Sequence, residues 1–329
     1  MTGTRAILVL TALLATNATA ALADEGGVSF WLPGMYSSYS ATPTTPGWSW
    51  ATLYYHSTVN AGANSRFPRG GRVDVGLDAK ADLSAFGPTY TFQEQVIGGQ
   101  LSLSLMALGG RSQGTVDAMI SGPQGNIISG RRTESLTAFG DLLPQATLKW
   151  NSGVNNYMTY ITGDIPVGSY DSERLANLGL GHGAIDAGVG YTYFDPATKW
   201  EASIVSGLTY NFKNPDTDYQ NGVDFHVDWG ASKFISDQMF VGLTGYYFQQ
   251  ISDDSGSGAT LGGFRSRVAG IGPQLGYLFS VNEKWDGAFS GKAYWEFASK
   301  NRPSGWNLWL GVSLSPAAPK KADAGSGAE

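Results

Sequence analysis

The 329-residue chain carries no cysteine, a net charge of −6 and only 15% charged residues. The missing cysteine excludes a disulfide-stapled fold, and the acidic balance argues against a general nucleic-acid binder. Soluble domains hold roughly 25% charged residues; here glycine, at 45 residues, and aromatics, at 12%, stand in their place.

In chain order, Arg5 precedes an apolar run from Ala6 to Ala15, and Ala21-Leu22-Ala23 forms an A-x-A site. That predicts a secretory signal peptide over residues 1–23. No later stretch reaches about 18 apolar residues, so no spanning helix is expected. Residues 24–47, DEGGVSFWLPGMYSSYSATPTTPG, are too aromatic for a plain linker. They read as a periplasmic or plugging segment, with Phe30 and Trp31 as its apolar contact.

Alternation takes over from 48 to 315. In VDVGLDAKADL, Val73, Val75, Leu77, Ala79, Ala81 and Leu83 share one face, while Asp74, Gly76, Asp78, Lys80 and Asp82 share the other. QLSLSLMAL, HGAIDAGVGYTYF, WEASIVSGLTYNF, FSGKAYWEF and GWNLWLGVSL repeat the pattern. Period two over about ten residues predicts half-exposed strands. The expected strands are 48–57, 70–86, 88–120 (with an excursion), 141–150, 156–165, 183–194, 199–212, 221–234, 239–250, 265–279, 285–298 and 305–314. That makes twelve, or fourteen if 88–120 splits into three. Residues 316–329 are expected to form a flexible tail.

Short turns at 151–155, 195–199, 235–238 and 280–284 interleave with longer polar stretches at 121–140, 167–183, 212–222 and 251–264. Tight turns at one end and long loops at the other predict an all-β transmembrane antiparallel up-and-down barrel in the outer membrane. Trp200, Trp229, Trp285, Trp295 and Trp306 near strand ends suit aromatic girdles. A soluble sandwich has no need of so many long alternating strands.

With lipid outside and water inside, the polar phase assigns Asp74, Asp78, Lys80, Asp82, Lys149, Asp186, Glu201, Asp224, His226, Asp228, Lys292 and Glu296 to the lumen. VDFHVDW, Val223 to Trp229, resembles a ligand row. Same-face residues on a strand lie roughly 7 Å apart, however, and such a row cannot close on one ion. No metal, cofactor or catalytic residue is assigned. A barrel acting on lipid would need His56, His182 or His226 as base, and no motif surrounds them. Arg265 and Arg267 share the outward phase at the loop end, where guanidinium groups suit anionic lipid headgroups.

From GDLLPQATLKWNSGVNNYMTYITGDIPVGSYD through NLGLGHGAIDAGVGYTYFDPATKWEASIVSGLTYNFKNPDTDYQNGVDFHVDWGAS, the chain resembles the meta-pathway phenol-degradation (MetA) family of outer-membrane, transporter-like proteins. LPG at Leu32–Gly34 and the late NRPSGWNLWLGVSLSPAAP extend the likeness. The resemblance implies an outer-membrane channel for small aromatic or hydrophobic solutes, in contact with outer-membrane lipid and lipopolysaccharide. It implies no catalytic residues. The alternatives are a lipid-modifying enzyme and a structural or partner-binding barrel. PAAPKKADAGSGAE follows the last strand where many barrels end in an aromatic residue, so the assembly signal is expected within Trp306–Leu314.

Overall fold

The computed structural model describes residues 29–66, 72–121, 127–259 and 265–318. The expected signal peptide and most of the expected tail lie outside the described residues. Twelve strands follow one another: β1 (Gly47–Arg66), β2 (Arg72–Val96), β3 (Gly99–Ser121), β4 (Ile127–Ser152), β5 (Asn155–Asp164), β6 (Ala184–Asp195), β7 (Trp200–Asn211), β8 (Asp224–Phe234), β9 (Met239–Gln250), β10 (Arg267–Asn282), β11 (Trp285–Lys300) and β12 (Ser304–Pro316). Each pairs antiparallel with the next, and β1 meets β12 from Trp50↔Leu314 to Asn60↔Ser304, closing the barrel. Closure leaves no sheet edge within the membrane, as a spanning sheet requires.

From β5 to β12 the strands match the expected ones to within a few residues. The first third differs. The expected strand 88–120 is cut by a two-residue turn at Ile97 and Gly98, whose φ angles are +52° and +71°. Two positive φ values are what the tightest hairpin turn requires. Residues 72–86 and 88–96 form one strand running through Pro88, and the stretch 127–140, expected as loop, is the first half of β4. β1 to β4 are therefore 20 to 26 residues long, against 10 to 16 for the others.

The outer surface carries a belt of large exposed apolar side chains, among them Ile161, Val189, Ile204, Leu208, Leu243, Trp295 and Val312. A contiguous belt of this kind suits hydrocarbon, not water. On the long strands the belt has a sharp upper limit. The outward phase of β2 runs Tyr90, Pro88, Phe86 and then Ser84, Asp82, Lys80, Asp78; that of β3 runs Leu101, Leu103, Leu105 and then Gly109, Arg111. Beyond that limit the inner phase turns apolar instead, with Leu77 and Val116 paired and buried on it. The long strands thus rise past the membrane, and the polarity of their two faces exchanges there.

This boundary is testable on one face. Leu105→Lys places a cation in the apolar belt and should destabilise assembly by roughly 2–4 kcal/mol. Asp82→Lys, on the same outward phase but above the belt, should assemble normally. Heat-modifiable gel mobility after urea-dilution folding separates the two; equal behaviour would mean that the belt is misplaced.

Candidate functional site: the plugged lumen

Alternation turns one phase of each strand inward, and that phase is rich in small and polar residues. Glycines on it make room for neighbours: a Cβ on Gly207 would lie 2.3 Å from the Tyr160 hydroxyl, and one on Gly270 would lie 2.3 Å from the Tyr246 ring. The space is occupied by the chain's own N-terminal segment, residues 29–46. Ser29 Oγ donates to Asp224 Oδ2 (3.4 Å), at the loop end of β8. Thr44 exchanges hydrogen bonds with the Gln100 amide (2.8 and 2.7 Å), at the turn end of β3. The segment thus runs the length of the lumen before entering β1.

It has no ladder partner among the described residues; apart from turns within the segment, such as Met35 N to Leu32 O and Thr42 N to Tyr39 O, the inner wall supplies its backbone hydrogen bonds. Asp228 accepts from the amides of Gly34 and Tyr36, both at 3.0 Å. Glu201 accepts from the Tyr39 amide (2.9 Å), and Thr192 Oγ1 from that of Ala41 (3.1 Å). Lys292 Nζ donates to the carbonyls of Gly34 (2.6 Å) and Met35 (2.9 Å), and Lys149 Nζ to that of Thr42 (3.1 Å). Bonds with one ionised partner are about twice as strong as neutral ones. Gly34 makes the tight turn with φ +87°, and a Cβ there would meet the Tyr294 ring at 2.9 Å.

Around these contacts lies an aromatic and apolar centre. Trp31, fully buried, stacks on the His226 ring with centroids 3.7 Å apart. Tyr36, Tyr160, Tyr246, Phe248, Tyr294, Trp309, Met158, Val205 and Val268 complete the cluster. His226 Nε2 lies 2.9 Å from Asp186 Oδ2, which also accepts from Thr209 Oγ1 at 2.6 Å. Phe30 is buried as well.

Of the residues assigned to the lumen by phase, Lys149, Asp186, Glu201, Asp224, His226, Asp228, Lys292 and Glu296 lie inside the barrel. Glu296 accepts from the Tyr246 hydroxyl (2.8 Å) and the Gly305 amide (2.8 Å). Most of them hold the N-terminal segment or its neighbours; Asp186, Glu201, Asp224, His226 and Asp228 are buried where open water was expected, and Lys149, Lys292 and Glu296 are half-buried.

Asp78, Lys80 and Asp82 are corrections. They sit on the outward phase of β2, above the belt; Asp74 occupies the same phase in the register. Asp82 Oδ1 accepts from Tyr54 (2.6 Å) and lies 2.7 Å from His56 Nδ1, while His56 packs against Trp306 on the outer wall. His56 Nε2 is 3.2 Å from Thr58 Oγ1, which completes a polar knot at the rim. His182, buried near the loop end, contacts the Gly183 carbonyl at 3.0 Å. Among the described residues no group of three or more His, Cys, Asp or Glu side chains is placed to hold a metal ion.

The loop end is tied across. Asn214 donates to the Tyr170 hydroxyl (2.8 Å), joining two long loops, and Tyr219 donates to Asp254 (2.7 Å), joining a third. Lys213 beside Asp218 holds that carboxyl well below the usual carboxylate range, with Ser257 also donating to it. Arg265 pairs with Asp253 (2.7 Å), and Arg267 Nε donates to the Ala298 carbonyl (3.3 Å).

A closed barrel with an apolar outer belt, filled by its own N-terminal segment, defines an outer-membrane barrel of the plugged kind. The profile of the family described as "Putative MetA-pathway of phenol degradation" matches residues 63–312, and the chain belongs to that family. In fold it is similar to an outer membrane channel from Pseudomonas putida F1, at 14% identity and TM-score 0.64, covering 84% of this chain and 98% of that one. A Pseudomonas aeruginosa FadL homologue aligns at 8% identity and TM-score 0.38, over 81% and 89% of the two chains. The CymD monoaromatic hydrocarbon channel aligns at 7% and 0.37, over 85% and 90%. A search of curated proteins found no match.

Proposed function

We propose that this barrel is an outer-membrane channel for small hydrophobic solutes, aromatic ones foremost, and that residues 29–46 close it at rest. The observation that carries the reading is the aromatic and apolar cluster inside the barrel. Water-filled porins have polar interiors; an interior bearing Trp31, Tyr160, Tyr246, Phe248 and Trp309 offers the apolar surface that a hydrophobic ring needs. Membership of a family described by phenol degradation points to the same solutes. The Pseudomonas putida protein of similar fold is itself described as an outer membrane channel, which supports passage through the barrel. The segment's anchors are hydrogen bonds, reversible one by one, so displacement requires no unfolding of the wall. Cells producing the barrel should take up a dilute one-ring aromatic faster than cells lacking it, and arabinose no faster. Equal aromatic uptake would end this reading.

A further inference from the structure

The N-terminal segment leaves part of the lumen unfilled. Between its stretch from Met35 to Ser40 and the wall of β1, β11 and β12 lies a cavity of about 190 Å³. Its lining is apolar at Met35, Leu53 and the Trp309 ring and polar at Ser290, Lys292 and the serines of the segment. No carboxylate of the described residues lines it.

One donor at this cavity has a hydrogen to spare. Lys292 Nζ spends two hydrogens on the carbonyls of Gly34 and Met35, and an ammonium has a third. A donor hydrogen left unpaired inside a barrel is costly, so an incoming acceptor beside Nζ is favoured. Nζ lies 5.2 Å from the Trp309 ring centroid, which sets the cation beside the aromatic lining of the cavity. A cavity of about 150 Å³ accommodates benzene; this one has room for a single ring with a small substituent.

We propose that the cavity is a binding subsite for a one-ring aromatic acid. The ring lies against Trp309, Leu53 and Met35, and the carboxylate accepts from Lys292. The proposal rests on the channel reading only for the route by which such a molecule arrives.

Calorimetric titration of the whole detergent-solubilised barrel tests it, with benzoate, benzyl alcohol and 2-naphthoate as probes. Benzoate should bind saturably, benzyl alcohol about tenfold more weakly for want of a charge-assisted bond, and 2-naphthoate not at all. Leu53→Trp fills the cavity and should weaken benzoate by at least about tenfold, with heat-modifiable mobility unchanged. Should that variant fail to assemble, Ser290→Leu fills the same space from β11. Lys292→Gln keeps a donor for the two carbonyls but removes the charge; it should weaken benzoate about tenfold and benzyl alcohol by no more than about twofold. No saturable benzoate binding, or equal affinity in the filled variants, would overturn the subsite. Aromatic uptake by cells without benzoate binding would refute the subsite and leave the channel; benzoate binding without uptake would do the reverse.

Discussion

Deletion of residues 29–40 will convert the closed barrel into an ion-conducting pore. Eight-stranded barrels are filled by their own side chains and sixteen-stranded ones hold open water. Twelve strands fall between, so what fills the lumen decides the matter, and here the N-terminal segment does. Its removal takes away the indole of Trp31 and the peptide groups bound by Asp228, Glu201 and Lys292. Left behind are buried charged groups that bind water and pass ions. Conductance in planar bilayers should rise by roughly an order of magnitude, while gel mobility still reports a closed barrel. The same deletion should reduce the preference for aromatic solutes, since Phe30 and Trp31 leave with it. If conductance stays at the level of the intact barrel, the segment is a tether and the lumen is closed by something else.

Trp31→Ala should have the second largest effect, and a different one. The indole is fully buried, stacked on His226 and beside Tyr160. Truncating a buried Trp costs about 3–5 kcal/mol, here charged against seating of the segment and not against the barrel wall. The ratio of seated to displaced segment should therefore fall by roughly two to four orders of magnitude. Recordings should show brief openings, with the backbone anchors to Asp228 and Glu201 reseating the segment between them. Resistance of the barrel to heat in detergent should not move. A variant as quiet as the parent would show that the polar anchors alone hold the segment.

The architecture was legible where the outside of each strand faces lipid along its whole length. From β5 to β12, alternation and polar loops mark strands and phase together, and Asp186, Glu201, Asp224, His226, Asp228, Lys292 and Glu296 were placed inside from phase alone. The same rule failed on β2 because it equates outside with lipid. Above the belt the outside is water, so Val73–Leu83 keeps its alternation while the polar row changes sides, carrying Asp78, Lys80 and Asp82 outward. The turn at Ile97 was hidden because a β-branched residue with positive φ has no propensity signal.

The aromatic lumen was also obscured. Tyr160 and Tyr246 sit among polar residues on the inward phase, and a tyrosine in a barrel sequence reads more readily as girdle. What fills the lumen depends on contacts between positions 56 to 260 residues apart, and no local pattern encodes them. A lysine at His226, allowed by phase, would collide with Trp31.

Those long separations impose an order on biogenesis. Tyr39 meets Glu201 across 162 positions, Gly34 meets Asp228 across 194, and Lys292 reaches back 258 to Gly34. Contacts this remote in sequence form late, after the intervening chain has been positioned. The segment lies first in the chain among the described residues, yet its docking surface exists only once β7, β8 and β11 are in place and β1 has met β12. Seating is thus the closing act of assembly, and a barrel stalled with its seam open exposes Phe30 and Trp31 to whatever protease surveys the periplasm.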